Sequence, residues 1–304
     1  MVKNRQKKFS LGQYLDKNLG YIFLIPGILC LLLLVAFPVL VTIWQSMTNL
    51  TFLRKSNPKF VGLENFRYLF KQQETLVGLK NSIIWTVLSV SLQLFLGFLF
   101  AQLLHRITRG KGFFRTALII PWTFPAIVMA YTWRWMLDPA YGIINQLLYN
   151  LGIIKQYTAW FSLKGSLFVA IIMNVWFGVP FMVMAIYAGF KTIPDEYYEV
   201  AKIEGTNYFQ ELKYVTIPCL KRIIGIILVL RTIWVFNNFD FIYLTTAGGP
   251  GYMSQTLPIY SYKMMWKNTH TARASAISVI LLIFVAIFVV LYFKLFRVGG
   301  EADE

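Results

Sequence analysis

Six long apolar segments divide this chain, and they constrain its fold more than any other feature. The first covers residues 21–41 and contains no charged side chain. As a helix it would rise about 1.5 Å per residue, enough to cross a hydrocarbon core of about 30 Å. Five segments of similar length follow, at residues 82–104, 114–137, 167–190, 223–244 and 274–296. The sequence therefore predicts an all-α integral membrane protein with about six transmembrane helices.

Composition supports the membrane prediction. Only 14% of the 304 residues are charged, whereas soluble domains average about 25%. A basic tail before an apolar segment is also typical of a signal peptide, but residues 21–41 are too long for one and no cleavage site follows cleanly. The net charge of +16 comes from basic residues scattered at the ends of apolar segments, not from a stripe. We therefore expect contacts with membrane lipid and none with nucleic acid.

Six spans place both termini on the same side of the membrane. We predict a basic tail at residues 1–19, one six-span domain at residues 20–296 and a second tail at residues 297–304. Residues 48–80 indicate an extracytoplasmic loop with an interfacial helix near residues 63–72, a plain loop being the alternative. With both termini in the cytoplasm, the basic residues show a modest excess on the cytoplasmic side. We accordingly expect a multi-pass protein of the cytoplasmic (inner) membrane.

The loop between the fourth and fifth predicted spans, residues 191–222, is polar and has strong local helix signals. Pro194 suits a first helical turn, acidic residues follow it, and Gly205 can adopt the left-handed conformation that ends a helix. Asn207 and Gln210 form a variant of the capping box at the start of a second piece, which Pro218 closes. On the first helix one face is shared by Tyr197, Val200, Ala201 and Glu204.

This loop resembles the cytoplasmic loop of the permease subunits of bacterial binding-protein-dependent ABC importers. The family pattern of glutamate, two alanines, three residues and glycine corresponds here to Glu199, Val200, Ala201 and Gly205, with valine at the first alanine. The resemblance implies that the loop is the coupling helix, which inserts into a cleft of an ATPase subunit. An ordinary amphipathic loop helix is the alternative. The residues implied in coupling are Glu196, Tyr197, Glu199, Val200, Ala201, Glu204, Gly205 and Phe209.

A second resemblance covers the fifth predicted span and the loop after it. Residues 231–250, RTIWVFNNFDFIYLTTAGGP, are similar to the sugar-importer branch of the same family. The similarity includes the Phe-Asp pair at residues 239–240 and the Gly-Gly-Pro turn at residues 248–250. It implies a type I ABC importer permease fold, a sugar or oligosaccharide as the transported solute, and alternating access driven by ATP.

Polar side chains inside the predicted spans are candidates for the substrate path. Arg231 would lie about 12 Å inside the fifth span, where an isolated charge costs several kcal/mol, so it needs a partner or a wet cavity. Asn174 and Trp176 suit a sugar, since amides bind hydroxyl groups and an aromatic face packs on a pyranose ring. An interhelical hydrogen bond and an interfacial tryptophan are the alternative for this pair, and Gln93 has the same ambiguity. The candidates are Asn174, Trp176, Arg231, Asn237, Asn238, Asp240 and Tyr243.

Signals for chemistry within the chain itself are absent from the sequence. There is no Walker A motif, and neither the histidines nor Cys30 and Cys219 have metal-ligand spacing. We expect no catalytic residue, no metal site and no cofactor in this chain. The resemblance implies two ATPase subunits that bind ATP and Mg²⁺, an extracytoplasmic solute-binding protein and a second permease subunit. We predict a heterodimer of permeases, although a homodimer would satisfy the same requirement.

Three alternatives to a sugar importer remain at this point. An integral-membrane enzyme acting on a lipid-linked substrate would use Arg134, Asp138, Arg231 and Asp240, although such an enzyme should also show acid/base or metal groupings. An ion-coupled carrier would work without ATPase subunits and usually has internal repeats. A permease of the same family could also carry a non-sugar solute such as a glycerophosphate. Arg134 and Asp138 lie four residues apart, which allows a local ion pair.

Overall fold

The computed structural model describes residues 11–53, 57–163 and 165–296. Residues 1–10 of the predicted basic tail and the predicted C-terminal tail lie outside the described residues, whereas residues 11–19 begin the first helix. Within the described part the regular structure is helical, apart from one isolated bridge between Thr48 and Phe60. The all-α prediction is confirmed.

The helices follow one another in the order of the predicted segments. Their bounds are α1 Leu11–Leu31, α2 Phe37–Ser46, α3 Glu64–Lys71, α4 Gln73–Arg106, α5 Lys111–Thr123, α6 Ala126–Met136, α7 Ile143–Asn150, α8 Ser166–Phe190, α9 Asp195–Ile203, α10 Tyr208–Glu211, α11 Ile217–Phe236, α12 Asp240–Thr246, α13 Leu257–Trp266 and α14 Thr271–Phe296. Helix α3 falls where the interfacial helix was predicted.

Four helical stretches in the described part are long and apolar enough to cross a membrane. They are Phe23–Ser46, Gln73–Arg106, Ser166–Phe190 and Thr271–Lys294. The predicted third span is not one straight helix, because α5 and α6 meet at an angle of 94°. Pro125 accounts for the bend: a proline disfavours helical geometry in the preceding residue, and Phe124 is extended, with ψ of 141°. The bent pair would make a fifth span.

The predicted fifth span, residues 223–244, is also wrong as a single helix. Helix α11 ends at Phe236 and α12 begins at Asp240. The asparagines between them bond to the backbone, which competes with the helical ladder: Asn237 Nδ2 donates to Ile233 O at 2.9 Å, and Asn238 Oδ1 accepts from Phe241 N at 3.4 Å. Helix α11 is not among the four described stretches that are long and apolar enough to cross a membrane. The count of six transmembrane helices therefore stays a prediction.

Two of the prolines that lie within helical stretches come just after a π turn. The turns are Leu32–Ala36, before Pro38, and Leu212–Thr216, before Pro218; after them Phe37 N donates to Leu32 O and Ile217 N to Leu212 O. A proline ring clashes with the carbonyl four residues earlier in an α-helix, and the wider turn relieves that clash. The prediction that Pro218 closes the second helical piece is therefore wrong. The chain continues through Pro218 into α11.

Helices α4 and α8 form the centre of the fold. Helix α8 is the most deeply buried span, and it contributes Met173, Met182 and Ile186 to the core. Gly97 on α4 faces Met182 so closely that a Cβ at residue 97 would overlap the Met182 Cβ. A second cluster joins α3, α13 and α14 through Leu69, Leu257, Tyr260 and Ile277. Phe23–Ser46 is largely exposed, although α2 contacts α14.

Candidate coupling and translocation sites

The loop after α8 folds into the two capped helices that its sequence predicts. Helix α9 covers nine residues and ends at a left-handed Gly205, with φ of +70°. Gly205 N donates to Lys202 O and Thr206 N to Ala201 O, both at 3.1 Å, so the last carbonyls of α9 are paired. Asn207 and Gln210 form the predicted capping box, with N···O distances of 2.8 and 3.0 Å.

The outer surface of this loop carries exposed apolar side chains among its exposed charged ones. Ile203 is 85% exposed and Phe209 is 75% exposed, and Tyr197 and Val200 are also exposed. Ala201 differs from the predicted face: it is 6% exposed and faces the protein. Sequence reasoning missed Ile203, whose spacing of three residues from Val200 was the available signal. Exposed apolar patches of this kind commonly mark protein contacts. We call Tyr197, Val200, Ile203 and Phe209 the coupling patch.

The loop that carries the coupling patch contacts the end of α4 and the turn that leads into α11. The hydroxyl groups of Tyr198 and Thr216 share a hydrogen bond of 3.3 Å, and the Arg106 guanidinium lies 4.3 Å from the centre of the Tyr208 ring. His105, one residue before Arg106, stacks on Phe190 at 5.0 Å between ring centroids. Burial raises the pKa of Tyr198 above its ordinary value, which keeps its hydroxyl neutral. Helix α9 is therefore tied to the turn that leads into α11, and α10 is tied to the end of α4.

The candidate residues inside the bundle separate into a buried group and an exposed group. Arg231 is 6% exposed, and its Nε donates to Gln93 Oε1 at 2.6 Å. Gln93 Nε2 in turn donates to the side-chain and backbone oxygens of Asn174, at 2.8 and 3.0 Å. Gly178 makes room for this group, because a Cβ there would overlap the guanidinium. We call Gln93, Asn174 and Arg231 the amide–guanidinium network; it joins α4, α8 and α11.

The exposed group lies at the break between α11 and α12 and on α8. Asn237 and Asp240 are exposed, whereas Asn238 and Tyr243 are half-buried. Trp176 is partly exposed and meets Trp133 edge-on at 5.8 Å between ring centroids. These side chains face outward while Arg231 faces the bundle. The structure therefore does not bring all seven predicted path residues into one site.

Three aromatic side chains that were not predicted also lie near the network. The Phe181 ring is 5.2 Å from Trp234 and 5.9 Å from Trp122, and the Arg231 guanidinium is 5.9 Å from the Phe181 ring. Trp122 and Trp234 are exposed. The available signal was the spacing of Arg231, Trp234 and Asn237, which are three residues apart along α11.

Asp138, in the turn after α6, has a local role. Asp138 Oδ1 accepts from the backbone N–H groups of Ala140 at 2.8 Å and Tyr141 at 3.2 Å, which closes the turn after α6. Across the described residues, no group of three or more His, Cys, Asp or Glu side chains is placed to hold a metal ion.

The described residues thus form a bundle of membrane-length helices with a buried polar network and a capped, outward-facing loop helix. Residues 93–297 match the family described as "Binding-protein-dependent transport system inner membrane component". The chain belongs to this family, so the predictions of a permease fold, an inner-membrane multi-pass protein and a transport subunit that is not an enzyme are confirmed.

Individual relatives cover nearly the whole chain. The chain is 33% identical to the trehalose/maltose transport system permease protein MalF of Thermococcus litoralis, over 94% of this chain and 96% of the relative. It is 27% identical to the trehalose transport system permease protein SugA of Mycobacterium tuberculosis, over 95% of this chain and 92% of the relative. A solved bacterial alginate ABC transporter, in complex with an alginate pentasaccharide-bound periplasmic protein, contains a chain of the same fold. Its TM-score is 0.81 at 19% identity, over 97% of this chain and 99% of that one.

Proposed function

We propose that the chain is one permease subunit of an ATP-driven importer for a sugar or oligosaccharide, which an extracytoplasmic solute-binding protein delivers. The observation that carries this proposal is the 33% identity, over 94% of the chain, to a relative named as a trehalose/maltose permease. The exposed Asn237 and Asp240 and the half-buried Asn238 support it, because hydroxyl-rich solutes need hydrogen-bonding groups beside aromatic surface.

The coupling patch is the proposed contact with a separate ATPase subunit. Its apolar side chains suit a partner cleft, and the contacts of the loop with the end of α4 and the start of α11 would carry motion into the bundle. We infer two ATPase subunits that bind ATP and Mg²⁺, and a second, related permease that supplies the other half of the path. Because the patch has to meet a cytoplasmic motor, both termini are cytoplasmic in this proposal and the bent α5–α6 and broken α11–α12 pairs complete six spans.

The native Cys219 offers a direct test of this topology. Its side chain is exposed at the start of α11, beside the loop that carries the coupling patch. In a Cys30→Ser variant, a membrane-impermeant maleimide should label Cys219 in inverted membrane vesicles and leave it unlabelled in intact cells. Labelling of Cys219 in intact cells would place the coupling patch outside and contradict the proposal.

Substrate contact at the helix break predicts a change in transport kinetics. Asp240→Ala should raise the KM for sugar uptake about tenfold, because a hydrogen bond to a charged group contributes about 1.5–3 kcal/mol, while ATPase activity stays unchanged. Asn237→Ala should raise it less, as expected for a neutral hydrogen bond. The matched control is Asn150→Ala, an exposed asparagine at the end of α7. Unaltered uptake kinetics in Asp240→Ala and Asn237→Ala would assign these side chains to structure alone.

A further inference from the structure

Five aromatic side chains form a continuous row beyond the end of α11. The rings of Phe239, Tyr243 and Tyr262 pack against one another, with centroid distances of 4.7 Å from Phe239 to Tyr243, 4.9 Å from Tyr243 to Tyr262 and 5.0 Å from Phe239 to Tyr262. The Trp266 ring lies 6.5 Å from Tyr262, and the Phe52 ring lies 5.8 Å from Trp266. The rings come from α12, α13 and the loop after α2, so three separate parts of the chain contribute to them. We call Phe52, Tyr262, Trp266, Tyr243 and Phe239 the aromatic row.

The row connects the candidate path residues to the surface. Its inner end, Phe239, lies in the break beside Asn238 and Asp240. At its outer end Trp266 is 56% exposed, and the Phe52 backbone is bonded to Thr269 O at 2.7 Å, which ties the two loops together. Helix α11 has 20 residues, about 30 Å of helix, and separates the row from the coupling patch at its other end. The outer end therefore lies on the side proposed to be extracytoplasmic.

The chemistry of the row suits a sugar ring better than an ion or an apolar solute. All five rings keep exposed or half-exposed surface, although Phe239 and Tyr243 also pack against the core. Aromatic faces offer apolar contact area, and tyrosines add a polar group at the ring edge. The hydroxyl oxygens of Tyr243 and Tyr262 lie 3.5 Å apart. The nearby Lys263 ammonium is occupied by a hydrogen bond to Gln255 Oε1 at 2.9 Å. The row thus combines stacking faces with hydroxyl groups and no formal charge of its own.

We propose that the aromatic row is a stacking track along which pyranose rings pass from the binding protein to the break at residues 237–239. This inference rests on the proposed function, sugar import. A translocated solute must bind each site strongly enough to enter and weakly enough to leave, and a succession of similar aromatic faces meets that condition. The competing assignment is that the rings only fasten α12 to α13 at the membrane interface, where Trp and Tyr are common.

The test uses the complete importer with its binding protein in proteoliposomes and a panel of radiolabelled mono-, di- and trisaccharides that includes maltose and trehalose. Trp266→Leu, which keeps an apolar side chain but removes the planar face, should lower the sugar transported per ATP hydrolysed about fivefold. Trp266→Phe keeps a planar ring and should retain most of the sugar transported per ATP hydrolysed. Stimulation of the ATPase by loaded binding protein should be unchanged in both. Tyr149→Leu, in an exposed aromatic pair with Tyr157, is the matched control.

Each outcome assigns a role to the row. Equal losses in Trp266→Leu and Trp266→Phe, or a parallel loss of stimulated ATPase activity, would make Trp266 a packing residue and overturn the track. Normal uptake by both variants would overturn it as well. A wild-type importer that transports no sugar of the panel would overturn the proposed function together with the track, whereas normal wild-type sugar uptake with unchanged variants would overturn the track alone.

Discussion

Gln93→Leu is expected to destabilise the protein by about 2–3 kcal/mol, because it leaves the buried Arg231 guanidinium without its acceptor. Arg231 Nε donates to Gln93 Oε1 at 2.6 Å, and Arg231 is 6% exposed. A hydrogen bond to a charged group contributes about 1.5–3 kcal/mol, and a buried donor left unpaired loses its hydration as well. The same change removes the donor that Gln93 offers to Asn174, so one substitution removes the hydrogen bonds of this network from α4 to both α8 and α11.

The double variant Gln93→Leu with Arg231→Met distinguishes the loss of the hydrogen bond between these side chains from the loss of their packing. Replacing both partners by apolar side chains of similar shape removes the unpaired charge, so the double variant should be more stable than Gln93→Leu alone. The readout is the unfolding midpoint of the detergent-solubilised protein. Gln102→Leu, a half-exposed glutamine on the same helix, is the matched control and should shift the midpoint little. Strict additivity of the two single changes would show that Gln93 and Arg231 do not interact energetically.

Local signals predicted the loop helices well because their determinants lie within a few residues of one another. The left-handed Gly205 and the Asn207–Gln210 capping box are both read from adjacent positions, and both are present. Contacts between residues that are far apart along the chain were harder to predict from the sequence. Gln93, Asn174 and Arg231 were each recognised as polar residues in apolar spans, but they are separated by 81 and 138 positions along the chain, so periodicity could not pair them.

The helix boundaries inside the spans were the weakest part of the sequence prediction. Hydropathy does not detect a break when apolar residues continue on both sides of it, as they do around Pro125 and around Asn237 and Asn238. Pro125 was a usable signal, since a proline restricts the residue before it. Pro218 gave the opposite error: it was taken as a helix end, whereas a π turn accommodates it. The aromatic row could not be predicted, because its rings meet only after three parts of the chain pack together.

Gly205→Val is expected to reduce transport at least tenfold without preventing membrane insertion. Gly205 has φ of +70°, a conformation that costs a residue with a Cβ about 1–2 kcal/mol. A Cβ at residue 205 would meet no heavy atom within 4 Å, so the effect is conformational rather than steric. A β-branched residue is least able to adopt this backbone, and the end of α9 should rearrange. The coupling patch would then present Ile203 and Phe209 in a different relative orientation to the ATPase.

Gly152→Val is the matched control, because Gly152 also has φ of +70° and open space around its Cβ position, but follows α7, outside the coupling loop. Both variants should be inserted and purified in similar amounts, while only Gly205→Val loses ATP-driven uptake. Gly205→Asn should fall between wild type and Gly205→Val, since asparagine tolerates the left-handed region better than other residues with a Cβ. Equal uptake by the Gly205→Val and Gly152→Val variants would show that the geometry at the end of α9 does not transmit the motor's movement. A loss of insertion in Gly205→Val would mean that the glycine supports folding rather than coupling.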